Sequence, residues 1–269
     1  MHVSQYVYCL CWIHERIMGK VSEAIKVIIV VNVVFFVATL LPGMNDEMFR
    51  WLALYFPKNK NFEYWQFVTN MFMHGGFAHI LFNMYGLWAF GTPLEKIWGK
   101  GRFLIFYFIS GIGAGIIYTA VNYFQFTNLY SEIIALGITD VQIQTLLDTG
   151  SYDTRILSLV SKEKLETLYN LFSIPAVGAS GAIYGVLVAF AILFPNAKLA
   201  LIFLPVPIAA KYFIPLLIAL DLFSGLTGYS IFGGGVAHFA HVGGAVIGFL
   251  LMWYWKSRGI GYYRDDSYI

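Results

Sequence analysis

The sequence predicts an all-α membrane protein, a bundle of six spanning helices, and three observations carry that expectation. Of 269 residues, 59% are apolar and 12% charged, against roughly 45–50% and 25% in soluble domains. Mean hydropathy is +0.68. Five runs, at residues 27–45, 64–94, 103–131, 167–197 and 222–255, contain no Lys, Arg, Asp or Glu. Each has room for the roughly 20 residues that a bilayer-crossing helix needs. This composition excludes a disordered chain, a disulfide scaffold and a soluble globular enzyme. The net charge of +2, from 17 basic and 15 acidic residues, is too small for a nucleic-acid footprint, so no such partner is expected. Cys9 and Cys11 are the only cysteines and lie two apart, so they cannot staple the fold.

Residues 1–23 carry Glu15, Arg16, Lys20 and Glu23 and lack a small-residue cleavage site after an apolar core. They are read as a cytoplasmic segment and not as a removable signal peptide. Residues 24–255 form one membrane unit with spans at about 24–41, 77–94, 103–125, 180–195, 212–227 and 236–255, followed by a tail at 256–269. The fifth span follows a stretch broken by Pro205, Pro207 and Lys211 and contains Pro215, so its helix is expected to start near Tyr212. Between spans three and four lies a long outer loop, 126–172, in which Leu157, Val160, Leu165, Leu168 and Leu171 recur at near-helical spacing. That pattern suits an amphipathic helix on the outer surface. With the N-terminus inside, eleven of the 17 basic residues fall in inner segments and six in outer ones. Basic residues stay preferentially on the cytoplasmic side, so both termini are expected there, in a plasma or inner membrane.

Polar groups at membrane depth are expensive, and those that persist mark candidate sites. Span two opens on His74 and carries His79 and Asn83 four apart on one face; span four opens Gly178-Ala-Ser180-Gly181 with Tyr184 and Gly185 one turn on. Span six opens with His238 and His241, followed by Gly244 and Gly248. Spans two, four and six run in the same direction, so all three clusters fall at the outer ends of their helices. Singly, each has a plainer explanation: a small-residue packing seam for the glycines, interhelical hydrogen bonding for His79 and Asn83. His2, His14 and His74 stay in that plain class. Together they place an alcohol, a base and hydrogen-bond donors at one depth. Two histidines of span six plus His79 suggest a metal site instead, yet span six offers no carboxylate or thiolate, so no metal is expected. Asp221, in span five, is read as a cap for the Ser224-Gly225 turn.

These motifs resemble those of the rhomboid intramembrane serine proteases: His79-x-x-x-Asn83, Gly178-x-Ser180-Gly181 with Tyr184, and Ala240-His241-x-Gly-Gly244-x-x-x-Gly248. The similarity covers roughly residues 60–125 and 173–255. It implies Ser180 as nucleophile, His241 as general base, and an oxyanion hole from His79, Asn83 and main-chain N–H at Ser180. It also implies a water-filled cavity open to the outer face and membrane-protein substrates cut within a transmembrane helix, with no cofactor. No Asp or Glu lies at the outer ends of spans two, four or six, so a Ser–His dyad is expected, with Tyr184 packing on the imidazole. Where many rhomboids carry Trp-Arg in the first outer loop, this chain has Trp65-Gln66. Pro215 makes span five the candidate lateral gate. Two rival functions are a catalytically inactive rhomboid-like protein that binds membrane clients and a small transporter. The first is disfavoured because Ser180 and His241 are both retained, the second because the polar groups gather at one face.

Overall fold

The computed structural model describes residues 21–201, 204–229 and 237–260. The cysteines, His2, His14 and most of both tails lie outside the described residues. Helix α1 (Glu23–Thr39) begins after Ser22. A helix start leaves its first N–H groups without partners in the helix. Here Glu95 supplies the acceptors: its carboxylate takes Ala24 N–H at 2.8 Å and Ile25 N–H at 3.0 Å, and also the Ser22 hydroxyl. A charged acceptor capping a helix N-terminus explains a glutamate buried in an apolar bundle. Helices α2 (Met44–Leu52) and α3 (Gln66–Thr69) belong to the segment between α1 and the next long helix. Helix α4 (Phe77–Gly86) passes through a π-helical turn at Leu87–Gly91 into α5 (Thr92–Trp98), so the second expected span is one helical stretch.

Helix α6 (Lys100–Ala135) has 36 residues. At 1.5 Å per residue that is about 54 Å, far more than a hydrocarbon core of about 30 Å. The expectation that span three ends at 125 and gives way to a loop is therefore corrected. No Gly or Pro interrupts residues 116–136, and one face of the projecting end, at Phe126 and Ile133, is covered by the two helices that come after it. Helix α7 (Asp140–Thr149), opened by a Thr139/Gln142 capping box and closed by Gly150 in the left-handed region, folds back on it with α8 (Lys162–Ser173). Phe126, Ile133, Ile143, Leu146, Leu165 and Leu168 form a second core, separate from that of the bundle. The amphipathic helix expected on the membrane surface is α8, but its apolar face meets protein. Leu157, assigned to that face, lies instead in a 3-10 turn and is 41% exposed.

Helix α9 (Ser180–Leu193) is the centre of the bundle, with every residue from Gly181 to Phe190 buried. An antiparallel hairpin, β1 (Lys198–Leu201) with β2 (Leu204–Ala209), follows it, pairing Lys198 with Ala209 and Leu199 with Ile208. The prolines that break the helical pattern, Pro205 and Pro207, fall in β2, which has one described strand neighbour and so tolerates missing N–H donors. Helix α10 (Ala210–Thr227) starts two residues earlier than expected and carries Pro215, and α11 (His238–Ser257) completes the bundle. Helical segments thus stand at all six expected places. By length and composition α6 and α10 are long and apolar enough to cross a membrane, and α9 is a shorter apolar helix. The outward faces of the bundle are apolar, with Val34 59%, Ile116 54% and Phe249 55% exposed. So much exposed apolar surface suits lipid and not water.

Glycine sets how closely α9 and α11 approach. A Cβ added at Gly244 would fall well under 3.0 Å from the carbonyl oxygen of Gly181, and one at Gly248 would lie 2.5 Å from the Gly185 Cα. A Cβ at Gly185 would meet the Ser110 hydroxyl of α6 at 2.5 Å. The seam is a small-residue interface of the kind that lets helix backbones touch.

Candidate active site

Ser180 is the first residue of α9, and the chain reaches it through non-helical backbone over Ile174–Gly178 and a turn at Ala179. That backbone is paired and not bare. Leu54 N–H donates to Ala176 O at 2.9 Å, Ala176 N–H returns to Leu54 O at 2.8 Å, and Gly178 N–H donates to Asn70 O at 2.9 Å. Polar backbone at membrane depth needs such partners. Gly178 has φ +122°, where a side chain would be strained, and a Cβ there would lie 2.7 Å from His79 Nε2. Glycine at 178 therefore both turns the chain into α9 and makes room for His79.

The α2–α3 segment is itself held by Gln66, which is fully buried. Its Oε1 accepts from Tyr55 N–H at 3.2 Å, and its Nε2 donates to Asn61 O at 2.7 Å and Arg50 O at 3.4 Å. A neutral amide can donate and accept at once, which a guanidinium cannot. Trp65 stacks on Trp51 and bonds its carbonyl at 2.9 Å. Gln66→Ala is expected to destabilise the protein by about 1–3 kcal/mol, because partly buried backbone groups lose their partners and a buried side chain is cut away. A thermal melt in detergent checks it, and an unchanged midpoint refutes the role.

From α11, His241 places Nε2 2.8 Å from Ser180 Oγ. Its ring lies flat on that of Tyr184, centroids 4.3 Å apart at 11°. Tyr184 is four residues after Ser180, so α9 presents hydroxyl and stacking ring on one face. His79, on α4, stands beside the Gly178–Ser180 backbone, its ring also meeting His74 with centroids 5.0 Å apart. Asn83 Nδ2 donates one hydrogen to the His79 carbonyl of its own helix at 2.8 Å. The structure thus brings Ser180, His241, Tyr184, Gly178 and His79 into one cluster, while Asn83 is anchored one turn deeper. The cavity at Ser180 has a volume of about 20 Å³, with Gly178, Asn70 and Tyr118 also in its wall. A water molecule needs a similar space. A much larger cavity, about 600 Å³, lies away from Ser180, between Lys58 and Lys60 of the α2–α3 segment and Tyr130 and Tyr169 of α6 and α8.

The reading of an imidazole without a carboxylate neighbour is corrected. Asp221 Oδ1 lies 3.2 Å from His241 Nδ1 and 2.6 Å from His238 Nδ1, and Tyr184 Oη donates to Oδ2. Asp221 does not belong to spans two, four or six; it comes from α10, with a fully buried side chain. Its assignment as a turn cap also fails, since α10 continues as helix through Thr227. Both histidines of α11 thus direct Nδ1 at a carboxylate. Among the described residues no group of three His, Cys, Asp or Glu side chains is arranged to hold a metal ion.

A family model described as the Rhomboid domain matches residues 61–258. Rhomboid protein 1, mitochondrial, of Saccharomyces cerevisiae is 28% identical over 187 residues, which is 70% of this chain and 40% of that protein. The presenilin-associated rhomboid-like proteins, mitochondrial, of Bos taurus and Rattus norvegicus are each 28% identical over 239 residues, covering 86% of this chain and 49% of theirs. The chain spans about half the length, or less, of these curated relatives.

Proposed function

Because the chain belongs to the rhomboid family, we propose that it is an intramembrane serine endopeptidase that cuts transmembrane segments of other membrane proteins. One observation carries the reading: a serine hydroxyl and a histidine Nε2, 2.8 Å apart, at the head of a buried helix. A serine hydroxyl is a weak nucleophile at neutral pH and needs such a base. Ser180 Oγ attacks the scissile carbonyl carbon as its proton passes to His241 Nε2. The first N–H groups of α9 and its positive dipole end face the oxyanion that forms, with His79 and Asn83 as flanking donors. The imidazolium then protonates the leaving amine, and water hydrolyses the ester by the reverse path.

In this reading α1, α4–α5, α6, α9, α10 and α11 cross the bilayer with both termini on the cytoplasmic side. The 14 residues of α9 cover about 21 Å of a core of about 30 Å, so Ser180 sits below the outer surface. The mitochondrial names of the relatives favour an inner membrane over the plasma membrane. Expected partners are lipid and membrane proteins with a transmembrane helix. An inactive client-binding role would leave the Ser180–His241 pairing without a use. Asp221 ties α10 to α9 and α11, so α10 could open as a gate only by breaking those bonds.

The test is cleavage of a single-span reporter by the purified full chain in lipid vesicles, with the cut expected near the outer boundary of the span. A folded protein that leaves several such reporters intact would overturn the proposal. In the same assay Asn83→Ala is expected to lower kcat roughly a hundredfold while the melting midpoint falls by only a few degrees, since one oxyanion donor and one bond to the His79 carbonyl are lost and the nucleophile kept. Unchanged turnover would remove Asn83 from the hole.

A further inference from the structure

We propose that Asp221 is a positioning residue for this reaction, converting the Ser180–His241 pair into a three-helix relay whose acid comes from α10; the inference rests on the hydrolytic reading above. A fully buried carboxylate on an apolar helix is expensive and persists only with partners. Three donors surround this one: Tyr184 Oη from α9, His238 Nδ1 and His241 Nδ1 from α11. An ionised carboxylate can only accept. Each histidine must therefore carry a proton on Nδ1, and for His241 this leaves the Nε2 lone pair facing Ser180 Oγ. Asp221 thus selects the one neutral tautomer that can take the serine proton.

The carboxylate is also held in place. Tyr184 fixes Oδ2, and His238, one turn before His241, makes the shorter bond to Oδ1, 2.6 Å against 3.2 Å. Tyr184 then constrains His241 twice, by stacking on its ring and through the carboxylate that the ring faces. When the proton leaves Ser180 for Nε2, the positive charge appears beside a carboxylate already in position, with no solvent to reorganise.

A purely structural Asp221 would tie the helices together without setting the tautomer, and two measurements separate the roles. The first uses a fluorophosphonate probe on the full chain in detergent: Ser180 Oγ bonds to phosphorus, the P–F bond breaks, fluoride leaves, and His241 Nε2 takes the proton. Asp221→Asn is expected to slow this labelling by roughly 10³–10⁴-fold, the size of effect that a wrong imidazole tautomer has in serine hydrolases. A rate within threefold of the parent, in a variant with the parent's melting midpoint, would overturn the proposal. The second is a ¹⁵N spectrum of the parent protein with labelled histidine, assigned by comparison with His241→Ala, and it stands even if Asp221→Asn fails to fold. The expected spectrum has His241 protonated on Nδ1, and a proton on Nε2 alone would sink the idea. Failure of the parent to label at all, with His241 protonated on Nδ1, would count against the hydrolytic reading and leave the positioning geometry supported.

Discussion

Ser180→Ala is expected to fold as the parent does and to cleave nothing. The substitution removes one oxygen and one hydrogen bond, to His241 Nε2, and a single hydrogen bond contributes about 0.5–1.5 kcal/mol. The melting midpoint should therefore move by only a few degrees. Cleavage should fall by roughly 10⁴–10⁶-fold, because no other group can form the ester, and the residual rate is what the oxyanion donors and binding supply alone. His241→Ala should lose a similar factor, and the double variant should be little worse than either, since nucleophile and base act as a unit. The fluorophosphonate probe makes this independent of any substrate: the parent labels, and both variants do not. Cleavage at the parent's rate by Ser180→Ala would end the mechanism.

Gly244→Ala is expected to lose most activity for a different reason, by separating two helices. The added methyl would collide with the Gly181 carbonyl, a backbone atom that cannot swing aside as a side chain does. Relief requires α9 and α11 to part by on the order of 1 Å, and overpacking of this kind costs about 1–3 kcal/mol. Gly181 directly follows Ser180, and Gly244 comes one turn after His241, so the separation falls where the 2.8 Å contact must be kept. Stretched by even 1 Å, that contact is no hydrogen bond. Both the melting midpoint and the labelling rate should drop. Gly101→Ala is the control, because a Cβ there meets nothing within 4 Å and helix propensity favours alanine by about 0.5–1 kcal/mol. Equal effects of the two substitutions would show that the glycine seam does not position the site.

These two cases mark how far the primary structure can be read. The motifs around Ser180, His241 and His79 were legible because each sits at a helix start, where hydrophobic runs of fixed period place it at one depth. The glycines at 181, 185, 244 and 248 were legible as a packing seam, since their spacing repeats once per helical turn. The helical unit of α7 and α8 was not. Its signal is a moderate apolar periodicity that suits a membrane surface as well as a protein core, and only the continuation of α6 to Ala135 supplies the protein surface that α7 and α8 cover. Gln66 stands out in the sequence as a departure, yet its role as the hub of the α2–α3 segment depends on Tyr55, Asn61 and Arg50 converging on it, which spacing does not reveal.

Taken alone, the chain determined that it folds as a mainly helical bundle with an apolar exterior, where the six long apolar helical segments lie, and which serine and histidine share a level, because hydrophobicity and helical period are local properties of consecutive residues. The tertiary structure decided that Asp221 meets His241. That contact joins α10 to α11, and its residues are brought together by the crossing of packed helices and not by any repeat along the chain. It also decided the identity of the neighbour on the far side of the imidazole. A lone carboxylate in an apolar run carries no information about which donors will surround it until the helices have closed.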